Sequence, residues 1–380
     1  MRCLSSTCSI LPRRLSFAFQ RPLQLGRCSS LNPVPSSRRV PHISFSSTLP
    51  RPLSHFSSQL AMTSFCSASS AASGPRRSKE NTFSRACLRE RGVAIRAVVT
   101  DLDGTLLNSV HAVSQANVEA CARLRRKGIA CVFATGRPHV GTVKCLGSTV
   151  LEEMGMANAF PGVYMNGCIV YDPDGTLLHA EYLDKDAQKA VFSLLEERNL
   201  VNRVCGYQEQ GIFCNEKNKY TWHTKDEYDE CEPVVVPSLD ELKNMNFCKL
   251  TVNGSPEEVA EFRILLESVA EIWDGRCVQP IPGNVEFIPK TISKAKGLDI
   301  LFDNMNIKKE EAIALGDSEN DLEMLRHIDL SVCVANGCPS AKEAARFVTV
   351  SNDQDGFAVV VQEICHELEE QEARAARGAA

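Results

Sequence analysis

No aspartate or glutamate occurs in the first 79 residues of this 380-residue chain, against ten arginines and one lysine. No apolar run approaches the ~18 residues of a membrane-spanning helix, so no membrane partner is expected. There is no C-x-x-C pair either: the 17 cysteines come no closer than Cys3 to Cys8 and Cys333 to Cys338. An odd number of cysteines scattered through apolar segments reads as buried reduced thiols, not as a zinc site or a secreted disulfide frame. What is present is otherwise ordinary for a globular protein, with 43% hydrophobic and 23% charged residues. The length suits two or three domains.

The net charge of −5 conceals a partition, +11 over residues 1–79 and −16 over the rest. The leading segment holds 20 serines and the pairs Arg13-Arg14, Arg38-Arg39 and Arg76-Arg77, without the continuous apolar core of a secretory signal. Serine-rich, arginine-rich and acid-free is the composition of an organelle transit peptide, read by import machinery. Its length and serine content favour the plastid over the mitochondrion; a disordered basic tail is the alternative. The segment 1–90 is therefore expected to be a disordered transit peptide, with structure beginning near Val93. The acidic body argues against a nucleic-acid partner, which a basic surface would attract.

Within the body, residues 94–100 form a β-branched apolar run that predicts a buried strand. Ser114 is an N-cap, Val118, Ala122 and Leu124 carry a helical stripe, and Gly128 closes the helix. A second buried strand follows at Ile129–Ala134, completing a βαβ unit and so a parallel sheet with a right-handed crossover. The pattern returns late, with a helix over Lys294–Met305, a strand at Ala312–Leu315 and a helix at Leu322–His327. Two short strands and a closing helix, Phe357–Ile364, complete it. The two ends read as one doubly wound, mostly parallel α/β domain (93–176 and 286–366) interrupted by an insertion, 177–285. The insertion offers helices at Asp184–Asn199 and Pro256–Ala270, the latter opened by a Ser255/Glu258 capping box, among strand-like runs. An α+β domain with an open, mostly antiparallel sheet is expected there, and residues 367–380 read as a frayed tail.

Ligands of open α/β sheets bind beyond the carboxyl ends of the strands. The three predicted core strands deliver Asp101-Leu102-Asp103-Gly104-Thr105, Thr135-Gly136-Arg137 and Gly316-Asp317-Ser318-Glu319-Asn320-Asp321. Lys294, opening the helix before the third strand, reaches the same crevice. Asp101, Asp103, Asp317 and Asp321 together repel one another unless a hard cation sits among them. Oxygen-only donors that leave room for water and phosphate favour Mg²⁺. Thr135 and Lys294 suit a phosphate. A carboxylate nucleophile, a divalent metal and a phosphate cradle specify phosphoryl transfer. Asp101 is ionised at neutral pH and needs no activating base. Asp103, two residues on, lies on the same side and can give and take the proton.

Residues 101–107 (DLDGTLL), 134–137 (ATGR), 293–298 (SKAKGL) and 316–325 (GDSENDLEML) resemble the four ordered motifs of the haloacid dehalogenase superfamily. The place and size of the insertion resemble its Cof-like branch, as do 166–170 (NGCIV) and 351–356 (SNDQDG). The resemblance implies an α/β core with an α+β cap, Asp101 as nucleophile and Asp103 as general acid and base. It also implies Mg²⁺ held by Asp101, Asp317 and the Asp103 backbone carbonyl, with Asp321 and Asn320 in support. Thr135, Gly136, Arg137 and Lys294 would meet the substrate. One departure is Ala295 where the branch has glycine after its lysine, which leaves Lys296 as a possible substitute.

Other residues have plainer readings. Arg137 serves a substrate or pairs with a carboxylate, Asn166 is a turn residue or a site contact, His139 and His223 are surface groups, and Trp222 and Trp273 pack. The expected activity is a Mg²⁺-dependent phosphatase acting on a small phosphorylated metabolite through an aspartyl-phosphate. Sugar phosphates, pyridoxal phosphate, flavin mononucleotide and a riboflavin-pathway intermediate are the substrates the resemblance implies. A phosphomutase and an inactive metabolite sensor are the alternatives.

Overall fold

The structure, a computed structural model, describes residues 82–89 and 94–378. Residues 1–81, which include nearly all of the expected transit peptide, and the expected start at Val93 lie outside the described residues. A short helix α1 (Arg85–Arg89) leads into β1 (Ala97–Thr100), α2 (Gln115–Arg126), β2 (Ala130–Ala134), α3 (His139–Leu146) and α4 (Ser148–Glu153). Three short strands follow, β3 (Gly162–Tyr164), β4 (Ile169–Tyr171) and β5 (Leu177–Ala180). The insertion comprises α5 (Lys185–Glu197), β6 (Val204–Gln208), β7 (Gly211–Cys214), α6 (His223–Tyr228), β8 (Val234–Val235), α7 (Leu239–Asn244), β9 (Lys249–Asn253), α8 (Pro256–Ala270), β10 (Arg276–Val278) and β11 (Asn284–Ile288). The core resumes with α9 (Lys294–Met305), β12 (Ala312–Gly316), α10 (Leu322–His327), β13 (Leu330–Cys333), α11 (Pro339–Ala344), β14 (Phe347–Val348) and α12 (Gly356–Gly378).

The core sheet has the order β14-β13-β12-β1-β2-β3-β4-β5, parallel from β14 to β3 and antiparallel beyond. Its central strands are buried on both faces, which is why they read as unbroken apolar runs. Alternate residues serve opposite layers. Val98, Phe133 and Leu315 pack with Val118 and Leu124 of α2 and Val360 and Ile364 of α12. Val99, Val132 and Ala314 pack with Leu298 and Leu301 of α9 and Met324 of α10. Gly128, at φ +74, ends α2 as its position past the last turn predicts.

The insertion's sheet runs β10-β11-β9-β6-β7-β8, antiparallel except for β7–β8. One face carries Val204, Leu250, Val252, Val285 and Phe287 against Val191, Leu195, Val259, Phe262 and Leu266 of α5 and α8. The capping box of α8 is formed, Ser255 N donating to Glu258 Oε2 at 2.9 Å and Glu258 N to Ser255 Oγ at 3.4 Å. The other face mixes Lys249, Thr251, Asn284 and Glu286 with Cys205, Tyr207, Ile212 and Cys214, and its polar part meets the core.

Four boundaries differ from expectation. β5 pairs with β4, so residues 177–180 belong to the core and the insertion begins after them; β11 carries it to Ile288, past the expected end at 285. A half-exposed strand carries no sequence sign of which sheet it joins. Structure also starts before residue 93: Thr82 bridges to Val348, Phe83 and Leu88 enter the core, and Arg89 pairs with Glu367 of α12 at 2.6 Å. Nor does the chain fray at 367, because α12 continues unbroken to Gly378 with Arg123 on Glu369 and Lys127 on Glu372. Burial of Phe83 and Leu88 implies that a chain beginning at Val93 is less stable than one beginning at Lys79, by about 3 kcal/mol. Urea midpoints of the two chains check this.

Candidate active site

The register Thr100↔Phe133 and Thr100↔Leu315 holds the carboxyl ends of β2, β1 and β12 level. The three predicted polar turns therefore emerge at one edge. Asp101 follows β1 directly, its N–H donating to Leu315 O at 3.0 Å. Gly104 turns the chain at φ +77, and a Cβ there would stand 2.5 Å from Asp317 Oδ2, so only glycine lets this loop approach the third turn. Thr105 Oγ1 donates to Asp317 Oδ1 at 2.9 Å and fixes that carboxylate.

Lys294 heads α9, whose N-cap Ser293 accepts from Lys296 N at 3.2 Å. Its Nζ donates to Asp101 Oδ1 at 2.5 Å and Asp321 Oδ1 at 2.7 Å and is fully buried. Lys296 points away and is exposed, so Lys294 is the lysine at the carboxylates. Asp321 Oδ2 accepts from the N–H groups of Asp317 and Ser318 at 2.9 and 3.1 Å. Carboxylate oxygens of Asp101, Asp317 and Asp321 lie within 4.8 Å of one another. Burial pushes the Asp101 carboxyl well up, with Lys294 pulling against it and the neighbouring carboxylates adding to it. Burial, then Asp321, pushes Asp317 up to about 7. Hard oxygen donors whose charge is uncompensated fit a divalent cation. All three could hold one; Asp101 and Asp317 each keep an oxygen without a hydrogen bond, whereas both oxygens of Asp321 are engaged.

The Asp103 side chain stands apart from the acidic cluster in which the sequence placed it; the atom expected at the metal is its backbone carbonyl. Its carboxylate turns away from the other three and makes a bidentate pair with Arg137, Nε at 2.7 Å and Nη2 at 2.6 Å. Although burial acts to raise it, Arg137 and His111 hold the Asp103 carboxyl well below the usual carboxylate range. Thr135 is buried, and its Oγ1 accepts from Arg137 N at 3.1 Å. Asn320 Nδ2 donates to Asn166 Oδ1 at 2.9 Å, and Gly136 leaves room for both amides. Asn166 is thus turn residue and site residue at once, at φ +59 and 1% exposed.

Residues 98–361 match the family of haloacid dehalogenase-like hydrolases. The chain belongs to that family. Phosphatase YwpJ of Bacillus subtilis is 28% identical over 295 residues, covering 71% of this chain and all of that protein. A protein of Arabidopsis thaliana named Endoribonuclease YBEY, chloroplastic, is 29% identical over 266 residues, and the chain spans 45% of its length. The solved HAD/COF-like hydrolase from Plasmodium vivax superposes with a TM-score of 0.69 at 29% identity, covering 73% of this chain and 97% of that one. The insertion is the α+β cap of the Cof-like branch.

The cap of this hydrolase is docked on two of the three turns and on the turn that carries Asn166. Lys249 Nζ donates to Gly136 O at 2.8 Å and pairs with Glu286, which accepts from Asn166 Nδ2 at 2.5 Å. Arg137 Nη2 donates to the cap carbonyl of Tyr228 at 2.7 Å. Arg263 of α8 makes a bidentate pair with Glu319, at 2.7 and 2.8 Å, beside Asn320. A cavity of about 50 Å³ lies between cap and core. Lys249, Glu286, Glu230 and Tyr207 escaped the sequence reading; the alternation in Lys249-Leu250-Thr251-Val252-Asn253 was the available signal of a polar face. Trp222 is buried among apolar side chains as expected, and His139 stacks on Phe160 at 4.7 Å. Among the described residues no helix is long and apolar enough to cross a membrane.

Because the folded Asp103 value lies below its ordinary ~3.9, the pair's stabilisation is complete above about pH 4 and drains away as pH falls. Arg137→Ala should therefore cost on the order of 3 kcal/mol at pH 7 and markedly less at pH 3, read as urea midpoints.

Proposed function

We propose that this hydrolase is a Mg²⁺-dependent phosphatase of small phosphorylated metabolites, working through an aspartyl-phosphate on Asp101. The observation that carries the reading is Asp101 at the mouth of β1, one oxygen held by the buried Lys294 ammonium, with Asp317 beside it. The relative named a phosphatase, matched over its whole length, supports it. A divalent ion between Asp101 and Asp317 would neutralise phosphoryl oxygens and screen the carboxylate from its substrate.

An Asp101 oxygen attacks phosphorus, and the bond from phosphorus to the ester oxygen breaks. Asp103 gives that oxygen its proton. Water then attacks the phosphorus, Asp103 takes the proton, and the bond to Asp101 breaks to release inorganic phosphate. Lys294, Thr135 and the amides of Asn166 and Asn320 position the transferring group. The Arg137 pair keeps Asp103 ionised, which suits the base half and opposes the acid half. An entering phosphate gives the guanidinium a competing acceptor, so the pair loosens as substrate arrives.

The docked cap excludes bulk water and limits substrates to small esters. We also propose that residues 1–79 direct the chain to the plastid, on their acid-free, serine- and arginine-rich composition.

Asp101→Asn should abolish phosphate release, by at least about 10³-fold in kcat. Asp103→Asn should instead slow turnover and let the phosphoenzyme build up, seen as the mass of one added phosphoryl group. Phosphate release by the Asp101 variant at the wild-type rate would remove Asp101 from the role. Chelation of divalent cations should stop both activity and phosphoenzyme formation, and Mg²⁺ should restore them.

A further inference from the structure

Phosphoryl transfer accounts for the core end of the cavity. The cap end is lined by Tyr207, Thr224, Tyr228, Glu230 and Asn284, none of which that chemistry uses. Glu230 follows α6 and is 5% exposed. Its Oε2 accepts from Tyr207 Oη at 3.0 Å, while Oε1 takes no hydrogen bond from any described residue. Burial raises this carboxyl, with Arg137 and Lys249 drawing it back, which makes it a more basic and stronger acceptor. Asn284 opens β11, is 2% exposed, and its Oδ1 has no partner among the described residues. Buried acceptors are ordinarily satisfied, so the unmatched Asn284 oxygen, on the same cavity wall as a Glu230 carboxylate with one oxygen to spare, calls for a donor from elsewhere.

Charge points the same way. Six carboxylates (Asp101, Asp103, Asp317, Asp321, Glu230 and Glu286) face three cations. Each cation is already engaged: Lys294 by Asp101 and Asp321, Arg137 by Asp103, and Lys249 by Glu286. A divalent ion and the transferring phosphate would leave the cavity negative. Arg137 Nη1 is buried and unpartnered, while the rest of its guanidinium is held by Asp103 on the core side and by the Tyr228 carbonyl on the cap side. A second anion at the cap end would meet Glu230, and the two cations that act on Glu230, Arg137 and Lys249, are already paired with Asp103 and Glu286.

We propose that Glu230 and Asn284 form the leaving-group subsite and select phosphate esters whose leaving group is uncharged and carries hydroxyl or N–H donors, rejecting those with a second anionic group. The proposal rests on the phosphatase reading and adds to it the residue that discriminates. Tyr207 and Tyr228 also line the subsite, and Pro280 and Ile281 add apolar lining.

The test uses acetyl phosphate, whose leaving group is small, as reporter substrate of the full chain. Inhibition constants are measured for matched pairs, each a sugar monophosphate and the sugar-acid monophosphate in which one hydroxymethyl is a carboxylate. Wild type should bind the neutral member at least about 10-fold more tightly, the scale of one hydrogen bond to a charged group. Glu230→Gln, which keeps the shape and removes the charge, should shrink that ratio several-fold. Asn284→Asp, which adds charge, should enlarge it. Equal or inverted binding by wild type, or a ratio unmoved by both variants, overturns the subsite. Failure of wild type to release phosphate from acetyl phosphate overturns instead the phosphatase reading on which it rests.

Discussion

A protonated amine with no access to water, Lys294 Nζ, stands between Asp101 and Asp321 and lets carboxylates share one crevice. Desolvation alone would strip its proton; the two carboxylates outweigh it and hold the lysine above its ordinary value. The dependence runs both ways, since each buried carboxylate would be stranded without the amine. The rest of the core follows from this constraint. α9 must present its first residue to the strand ends, so Ser293 caps it there and Leu298 and Leu301 seat it on the sheet. The turn after β12 must fold tightly enough for Asp321 to accept from the N–H groups of Asp317 and Ser318, which brings Asp317 opposite Asp101.

The cap is built on a division between two faces of one antiparallel sheet. Apolar residues on one face hold α5 and α8, and polar residues on the other meet the core. Because successive residues alternate faces, Leu250 and Val252 make the cap stable while Lys249 brings it to the Thr135–Arg137 turn. Stability and recognition are interleaved along the same five residues of β9.

Those parts of the molecule that rest on local pattern were legible in the sequence. The apolar runs of β1, β2 and β12, the Ser114 and Ser255 caps and the four motifs placed Asp101, Thr135, Lys294, Asp317 and Asp321 at one edge, where they lie. What was not legible depends on long-range pairing. Asp103 looked like one more acidic residue in a cluster, and its separation from the cluster requires knowing that Arg137, 34 residues on, closes on it. The same holds for β5, whose sheet is chosen by β4, and for α12, whose Glu/Arg-rich end looks unanchored until Arg89 and Arg123 are seen beside it. Glu230 sits in a polar, irregular stretch with no periodicity, so nothing in its neighbours announced that it would be buried.

The Arg263–Glu319 pair joins a helix of the cap to the loop that carries Asn320 and Asp321. Glu319 also accepts from the Gln279 N–H at 2.8 Å, so two separate cap segments grasp one side chain of that loop. A lid that swings open must first let go of this handle. Movement of the cap and the placement of the Asn320–Asp321 loop are in that sense mechanically joined.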